Sequence, residues 1–353
     1  MPVPDFPLPW AWLLAGTTLG LVALLVMGLL LLRWVRWREA PRRARLRTQW
    51  QALLMPCVAG DPLPSPLPVV APRDRWLFLR EWLHVQMALQ GPCRQRLAAL
   101  GRAMDCSRIA LERLDSRHPA ERLVAVLALG FLGDPAHAPV LLQRLSNSSM
   151  RTAVHLARAL LELDAHAHAQ PVVQTLLTFP DLDLARVSVL LKSFRPVLAQ
   201  ALMREPPSGR TGDEARTLRW LRLARALRLQ LPTALLAPLL QAGEDPEVMM
   251  AAIRMVQGEQ GDAQVLAHAQ HPDWRVRVQV ARALGHMGGP SAAEVLLRLV
   301  TDAQWWVRYR AAQSLLRLPG LAAEEVVRRI AATGDRYALN MVNAVLSEKR
   351  GRA

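Results

Sequence analysis

The sequence predicts an all-α fold: an α-solenoid of stacked helical hairpins preceded by one transmembrane helix. Residues 6–32 form a stretch without any charged side chain. From residue 73 onward, apolar residues recur at spacings of three and four, with regular Gly or Pro breaks and no strand-like alternation. We expect residues 1–40 to hold the transmembrane helix, residues 41–72 a basic helix and a proline-rich linker, and residues 73–353 the solenoid.

The composition excludes several classes of protein. The 353 residues are 52% hydrophobic and 21% charged, which excludes both a disordered chain and one embedded entirely in a membrane. Three scattered cysteines form neither a disulfide framework nor a C-x-x-C site, so a reducing compartment is expected. Lysine occurs only at Lys192 and Lys349, and neither follows a glycine-rich loop. A P-loop nucleotide site is therefore not expected.

The first predicted element is the membrane span. Trp10 to Leu32 would be about 35 Å long as a helix at 1.5 Å per residue, which is enough to cross a bilayer. No basic start or cleavage site suggests a signal peptide. Tryptophans at both ends would lie at the headgroup level, namely Trp10, Trp12, Trp34 and Trp37. Gly16 and Gly20 form a G-x-x-x-G spacing that would let another helix approach closely, although glycine is common in such spans.

The basic flank of this span predicts its orientation and its lipid contacts. Arginines crowd its C-terminal side, among them Arg33, Arg36, Arg38, Arg42 and Arg43. The positive-inside rule then places the N-terminus outside and the solenoid in the cytoplasm. Arginine-rich usage suggests a GC-rich bacterial genome and hence an inner membrane. We interpret the arginine run as a topology signal that attracts anionic headgroups, and a nucleic-acid or signalling-nucleotide site is the alternative.

The segment after the span predicts a spacer. The pattern of residues 42–54 predicts a short basic amphipathic helix that lies on the membrane surface. The alternative is that the segment continues the helix of the span after a break at Pro41. Six prolines between residues 55 and 73 predict an extended, stiff linker in which no helix continues.

The remainder of the chain shows an internal repeat. Eight helical segments align, and their last residues are Leu129, Leu160, Leu191, Leu227, Val256, Leu284, Leu315 and Leu346. Four positions before these residues every side chain is apolar, and one position before them nearly all are small or apolar. A second apolar helix follows each break. Such a pattern is typical of helical hairpins that pack on their neighbours through small residues.

The best-formed repeats resemble a known family. The run from His271-Pro-Asp-Trp-Arg to Gly288, and the run from Asp302 through Val307-Arg308 to Leu315, look like HEAT repeats of the phycobilin-lyase-like type. The resemblance covers roughly residues 93–349. It implies a ladder between repeats, which Asp273 with Arg277 and Asp302 with Arg308 could reproduce. It implies the fold, but nearly nothing about function.

Several classes of enzyme with such repeats have sequence motifs that this sequence lacks. No His-Glu pair occurs, whereas proteins resembling deoxyhypusine hydroxylase use such pairs as iron ligands. No H-E-x-x-H, G-x-S-x-G or G-x-G-x-x-G motif appears. A bilin-lyase-like enzyme and a nucleic-acid-binding helical-repeat protein remain as alternatives. We otherwise expect no catalytic residue, no cofactor and no small-molecule substrate.

One loop contains possible metal ligands. Asp164, His166 and His168 could face one side of an extended loop, as transition-metal ligands do. No further ligand cluster accompanies them. We therefore interpret the segment as a solvated turn between two hairpins and expect no metal.

The predicted partner-binding residues lie at the starts of two successive first helices. They are Trp274, Arg275, Trp305, Trp306, Arg308, Tyr309 and Arg310. Trp and Arg dominate the energetics of protein interfaces. The competing interpretation is that the indoles fill gaps between hairpins. We expect a non-catalytic scaffold or accessory subunit of an inner-membrane assembly, for envelope biosynthesis, secretion or signalling, which contacts lipid and a protein partner but no nucleic acid.

Overall fold

The computed structural model describes residues 8–60, 62, 65–207, 212–241, 245–256, 262–288 and 290–351. Within its helices, the side chains of residues 8–14, 32, 35–43, 262, 290 and 350 are not described. The described residues form helices and connecting turns without any strand, so the all-α expectation is confirmed. The chain divides into two compact units, Met1–Gly133 and Asp134–Ala353. The boundaries expected near residues 40 and 72 stay a prediction.

The first unit contains five α-helices among its described residues. They are α1 (Leu8–Ala59), α2 (Arg75–Ala88), α3 (Pro92–Ala103), α4 (Cys106–Arg113) and α5 (Pro119–Leu132). The predicted first helix of the first repeat corresponds to α5.

Helix α1 is longer than the sequence predicts. It continues through Pro41, where a break was one expectation, and through Pro56, where an extended linker was expected. Its final turn is held by α3, because the Arg96 guanidinium donates hydrogen bonds to the carbonyl oxygens of Cys57 (3.1 Å) and Val58 (3.2 Å). These bonds satisfy carbonyls that a helix end leaves without partners. Tertiary contacts thus override the local effect of proline.

The predicted membrane anchor is not found. Among the described residues, every helix falls short of the length and apolar character that a bilayer crossing requires. The prediction of a single-pass inner-membrane protein with a cytoplasmic solenoid is therefore wrong.

The predicted membrane-interface residues lose their basis with the anchor. Arg33 and Trp34 are exposed on α1, as are the apolar side chains of residues 19–31. A Cβ atom added at Gly16 or Gly20 would meet nothing within 4 Å, so no described residue packs against this G-x-x-x-G face. The other predicted interface side chains lie outside the described residues: Trp10, Trp12, Arg36, Trp37, Arg38, Arg42 and Arg43.

The core of the first unit is centred on Trp82 of α2. Its side chain is fully buried, and its indole nitrogen donates a hydrogen bond of 2.8 Å to the carbonyl oxygen of Leu97 in α3. Phe78, one turn earlier on α2, packs edge-on against Trp50 of α1 with ring centroids 5.6 Å apart. Gly101 of α3 lies so close that an added Cβ would be 2.7 Å from the Trp82 ring. Large single aromatic side chains thus join α1, α2 and α3.

The second unit contains the remaining helices. They are α6 (Ala138–Ser146), α7 (Met150–Leu163), α8 (Ala165–Thr178), α9 (Leu184–Leu190), α10 (Arg195–Met203), α11 (Glu214–Ala226), α12 (Thr233–Leu236), α13 (Pro246–Ile253), α14 (Asp262–Leu266), α15 (Trp274–Met287), α16 (Pro290–Leu299), α17 (Trp305–Leu315), α18 (Ala323–Ala332) and α19 (Arg336–Arg350).

These helices stack as the repeat predicts. The first helices of successive hairpins, from α7 through α9, α11, α13, α15 and α17 to α19, each pack on the next. Second helices such as α6, α8 and α10 also pack in sequence. This arrangement of neighbour-to-neighbour layers is an α-solenoid.

The aligned repeat positions form the packed faces. The residues four positions before the repeat ends are all buried, namely Ala125, Leu156, Val187, Leu223, Ala252, Val280, Ala311 and Val342. The closest approach joins α15 and α17, where a Cβ added at Gly285 would lie 2.5 Å from the Cβ of Ser314. Small residues at this contact allow the two helices to meet.

Candidate functional site

Aspartates fix where the first helices of the C-terminal repeats begin. Asp273 accepts a hydrogen bond from the backbone N–H of Arg275 (2.8 Å) and Asp335 from that of Tyr337 (2.8 Å). Such caps satisfy N–H groups that a helix start leaves without partners. Asp302 lies two residues before the N-terminal boundary residue Gln304 of α17 and accepts a hydrogen bond from its N–H (2.8 Å). The first residues of α15, α17 and α19, which are Trp274, Trp305 and Arg336, occupy equivalent positions in successive repeats.

Three aromatic residues at the start of α17 form one cluster. The rings of Trp305 and Tyr309 are stacked, with centroids 5.1 Å apart and an angle of 10° between their planes. Trp306 meets Trp305 edge-on at 4.7 Å and Tyr309 at 6.4 Å. Trp305 is 47% exposed and Trp306 is 56% exposed. We call Trp305, Trp306 and Tyr309 the aromatic cluster.

The cluster is linked to the last repeat. The hydroxyl of Tyr309 donates a hydrogen bond of 2.9 Å to a carboxylate oxygen of Glu348 in α19. The exposed ring of Tyr337, at the start of α19, lies 5.9 Å from the Arg308 guanidinium. Tyr337 was not predicted from the sequence. In the repeat alignment it stands nine positions before Leu346, as Trp306 stands nine positions before Leu315, and this register could have identified it.

Trp274 stands apart from the cluster. It is 37% exposed at the start of α15, and within the described part of the chain no ring contact joins it to the aromatic residues of α17. The structure thus brings together Trp305, Trp306 and Tyr309, whereas it leaves Trp274 at the edge of the predicted patch.

The predicted arginines have different environments. Arg275 pairs with Asp273 (2.7 Å) and with Glu247 (3.0 Å). Arg308 donates to the backbone carbonyl oxygens of Asp302 (2.9 Å) and Ala303 (3.2 Å). Both arginines therefore stabilise the helix starts beside the exposed rings.

Arg310 lies among like charges. Its guanidinium donates a hydrogen bond of 2.9 Å to the side chain of Gln313. Burial, together with the positive charges of Arg282 and Arg317, lowers the pKa of Arg310.

The expected ladder forms across repeats at one position. The Arg277 guanidinium of α15 binds both carboxylate oxygens of Asp302, at 2.7 and 2.9 Å, in front of α17. This bond raises the pKa of Arg277. Burial acts to raise the pKa of Asp302, but hydrogen bonds from Arg277 and from the backbone N–H of Gln304 lower it below its ordinary value. Arg308 has no such carboxylate partner among the described residues and contacts Tyr337 instead.

The candidate metal ligands form a helix cap. The Asp164 carboxylate accepts hydrogen bonds from the backbone N–H groups of His166 (2.9 Å) and Ala167 (3.0 Å), and α8 begins at Ala165. His166 and His168 therefore lie on the first turn of a helix rather than in an extended loop. No group of three or more metal-ligating side chains occurs among the described residues.

The cysteines show no sign of an activated nucleophile. Cys57 and Cys106 are buried. Burial, followed by the charge of Asp105, raises the pKa of the Cys106 thiol to about 12. That thiol is protonated at neutral pH, whereas a nucleophile needs the thiolate.

Comparison with known proteins supports the identity of the repeats. Two overlapping segments, residues 233–317 and 263–347, match the family model for HEAT repeats. A search of curated proteins found no match. The matched segments contain α12 to α18 and most of α19, and thus the aromatic cluster. Residues 233–347 of this chain are therefore similar to HEAT repeats, a type of repeat that generally mediates protein–protein interaction.

Proposed function

We propose that this chain is a non-catalytic protein-interaction scaffold and that its HEAT repeats bind a partner protein through the aromatic cluster. The observation that supports this proposal is the exposure of two adjacent indoles, Trp305 and Trp306, on a repeat that otherwise buries its apolar side chains. Trp and Tyr are enriched among the residues that contribute most to binding energy in protein interfaces.

The geometry of the cluster favours binding over gap filling. An indole that fills a gap between hairpins is buried, as Trp220 is in α11. Trp305 and Trp306 instead expose about half of their surface, while stacking and the hydrogen bond from Tyr309 to Glu348 hold their neighbour in place. Rings that are ordered before binding lose little conformational entropy when a partner arrives.

The proposal is tested by site-specific crosslinking. A photoreactive phenylalanine analogue placed at position 306 of the tagged full-length chain should crosslink to one defined protein in cells of the native host. Purified, that protein should form a stoichiometric complex with the wild-type chain in size-exclusion chromatography. The double variant Trp305→Ala, Trp306→Ala should weaken the complex by about tenfold or more, as expected for interface anchor residues.

A matched control separates loss of the surface from loss of the fold. Val189 on α9 is 71% exposed and lies outside the cluster, so Val189→Ala should leave the complex intact. Both variants should keep the circular dichroism of the wild type. Unchanged binding by the double tryptophan variant would contradict the assignment. A chromophore bound to the purified chain would instead favour a bilin-lyase-like enzyme. Binding to DNA that is lost at high salt would favour a nucleic-acid-binding protein.

A further inference from the structure

A second feature of the HEAT-repeat region is a cavity lined by arginines. It has a volume of about 320 Å³, and Arg225, Arg254 and Arg282 all line it. Ile253 and Met287 are among its apolar lining residues. The cavity thus combines three positive charges with an apolar surface.

The three arginines come from three successive repeats. Arg225 lies on α11, Arg254 directly follows α13, and Arg282 lies on α15. Each stands two positions before the end of its aligned repeat segment, so the repeat itself places them in a row. Neighbouring helices pack about 8–10 Å apart. At this general helix spacing, arginines in register on neighbouring helices are expected about 8–10 Å apart.

Burial and neighbouring positive charges disfavour the charged form of Arg254, the central arginine of the row. Burial, and then the charges of Arg225 and Arg282, lower the pKa of Arg254. Arg310 on α17 stands outside this register, but burial and the charge of Arg282 also lower its pKa, and its Nε atom is buried without a hydrogen-bond partner. Like charges held together in this way destabilise the fold unless an anion compensates them.

Carboxylates compensate this row only weakly, since the charge of Glu247 acts to raise the pKa of Arg254 but is outweighed by burial and by Arg225 and Arg282. Arg254 donates a hydrogen bond of 3.0 Å to the neutral side chain of Gln279, and no carboxylate among the described residues forms an ion pair with Arg225, Arg254 or Arg282. Arg275 and Arg277, on the same helix as Arg282, are both paired with carboxylates. Among the described residues, the repeats thus contain arginines that form direct ion pairs and arginines that form none.

We propose that the row of Arg225, Arg254 and Arg282 binds an extended acidic segment of a partner protein, with carboxylates that face successive arginines. This inference rests on the proposed scaffold function and adds a second contact site to it. Arginine suits this role because its planar guanidinium binds a carboxylate through two parallel hydrogen bonds.

The spacing and the lining favour a peptide over a nucleic acid. A peptide in the polyproline II conformation advances about 3.1 Å per residue with three residues per turn, so every third side chain lies on one face, about 9 Å apart. That distance matches the spacing that helix packing leads us to expect for the row. Single-stranded nucleic acids are bound by aromatic side chains on which bases stack, whereas no Trp, Tyr or Phe is among the residues that line this cavity, and His286 is its one ring.

The test measures binding of a defined probe by the purified full-length chain. A fluorescent peptide of Glu-Ala-Pro repeats should bind in an anisotropy titration, and a peptide of Gln-Ala-Pro repeats should bind at least about tenfold more weakly. Arg254→Gln and Arg282→Gln should each weaken binding of the acidic peptide by about tenfold. Their melting temperatures should not fall, because each change removes a like-charge repulsion.

The matched control is Arg328→Gln on α18. It removes the same charge from an exposed arginine that pairs with Glu325, and it should leave peptide binding unchanged. The proposal would be wrong if the wild type did not bind the acidic peptide. It would also be wrong if the Arg254→Gln and Arg282→Gln variants bound this peptide as tightly as the wild type does. Tighter binding of single-stranded oligothymidine, or full competition by inorganic phosphate at equal concentration, would also overturn it.

The two proposals can fail separately. The double variant Trp305→Ala, Trp306→Ala leaves every lining residue of the cavity in place, so it should still bind the acidic peptide. Loss of partner binding in that variant with peptide binding intact would support both sites.

Discussion

The core of the first unit and the α15–α17 repeats of the second unit achieve tight packing in opposite ways. In the first unit, Trp82 fills the space between helices, and Gly101 makes room for its ring. Between α15 and α17, Gly285 and Ser314 let the helices themselves approach, and the Arg277–Asp302 pair joins them at one end. One region depends on a single large side chain, whereas the other depends on small residues that recur with the repeat.

This difference decides what a substitution costs. Removing a large buried ring leaves a cavity that its neighbours fill only in part. Changing one position of a repeat mainly weakens the contact with the adjacent repeat, because each repeat interacts only with its neighbours. We therefore expect the largest effects in the first unit.

Replacing Trp82 with Ala should have the largest effect on stability. The change removes a fully buried ring and its hydrogen bond to Leu97, and we expect a loss of about 3–5 kcal/mol in the free energy of unfolding. Denaturant unfolding followed by circular dichroism would measure it. A loss below about 1 kcal/mol would show that the first unit does not depend on this ring.

Asp302→Asn should have the next largest effect. It breaks a half-buried pair and leaves Arg277 without a charged partner, at a cost of about 1.5–3 kcal/mol at neutral pH. Because the pKa of Asp302 is lower in the folded state, its contribution is present above the unfolded pKa of about 3.9 and is lost as the pH falls through the folded pKa. The stability difference between wild type and variant should therefore shrink below about pH 4.

Gly285→Ala should destabilise the repeats less strongly. Crowding against Ser314 costs about 1–3 kcal/mol, while alanine in a helix returns about 1 kcal/mol relative to glycine, so a net loss of about 1 kcal/mol is expected. The second change Ser314→Gly should restore part of this loss. Equal stability losses with and without Ser314→Gly would show that the two residues do not meet.

Trp306→Ala should have the smallest effect on stability. The side chain is 56% exposed, so the free energy of unfolding should change by about 0.5 kcal/mol or less. Comparing its free energy of unfolding with that of Trp82→Ala under the same conditions shows whether Trp306, unlike Trp82, contributes little to stability. A loss similar to that of Trp82→Ala would mean that Trp306 is part of a core.

The fold of the second unit was largely predictable because its pattern recurs. The positions of the first helices α7, α9, α11, α13, α15, α17 and α19, and the buried residues such as Val280 and Ala311, followed from the aligned segments, whereas the start of α8 was predicted to be a loop. The end of α1 was not predictable, since the bonds from Arg96 to its last carbonyls join residues that lie far apart in the sequence. The prediction of a membrane anchor was wrong, and it depended mainly on the local hydropathy of the sequence.

The candidate sites were only partly predictable. Trp305, Trp306 and Tyr309 were predicted, because residue type and position after a helix cap both indicated them. Tyr337 and the row of Arg225, Arg254 and Arg282 were missed, although the repeat alignment places each of them in register. Which arginines are paired depends on the neighbouring repeat, and the sequence of one repeat alone does not contain that information.

The carboxylate of Asp302 has a further consequence for how the array melts. Its Oδ1 atom accepts hydrogen bonds from the N–H of Gln304, directly before α17, and from Arg277 of α15, and its Oδ2 atom accepts a second bond from Arg277. The same group therefore holds the segment that leads into one helix and binds another. Fraying of α17 would therefore release its neighbour as well. Amide protons of α15 and α17 should exchange as a single cooperative block rather than repeat by repeat.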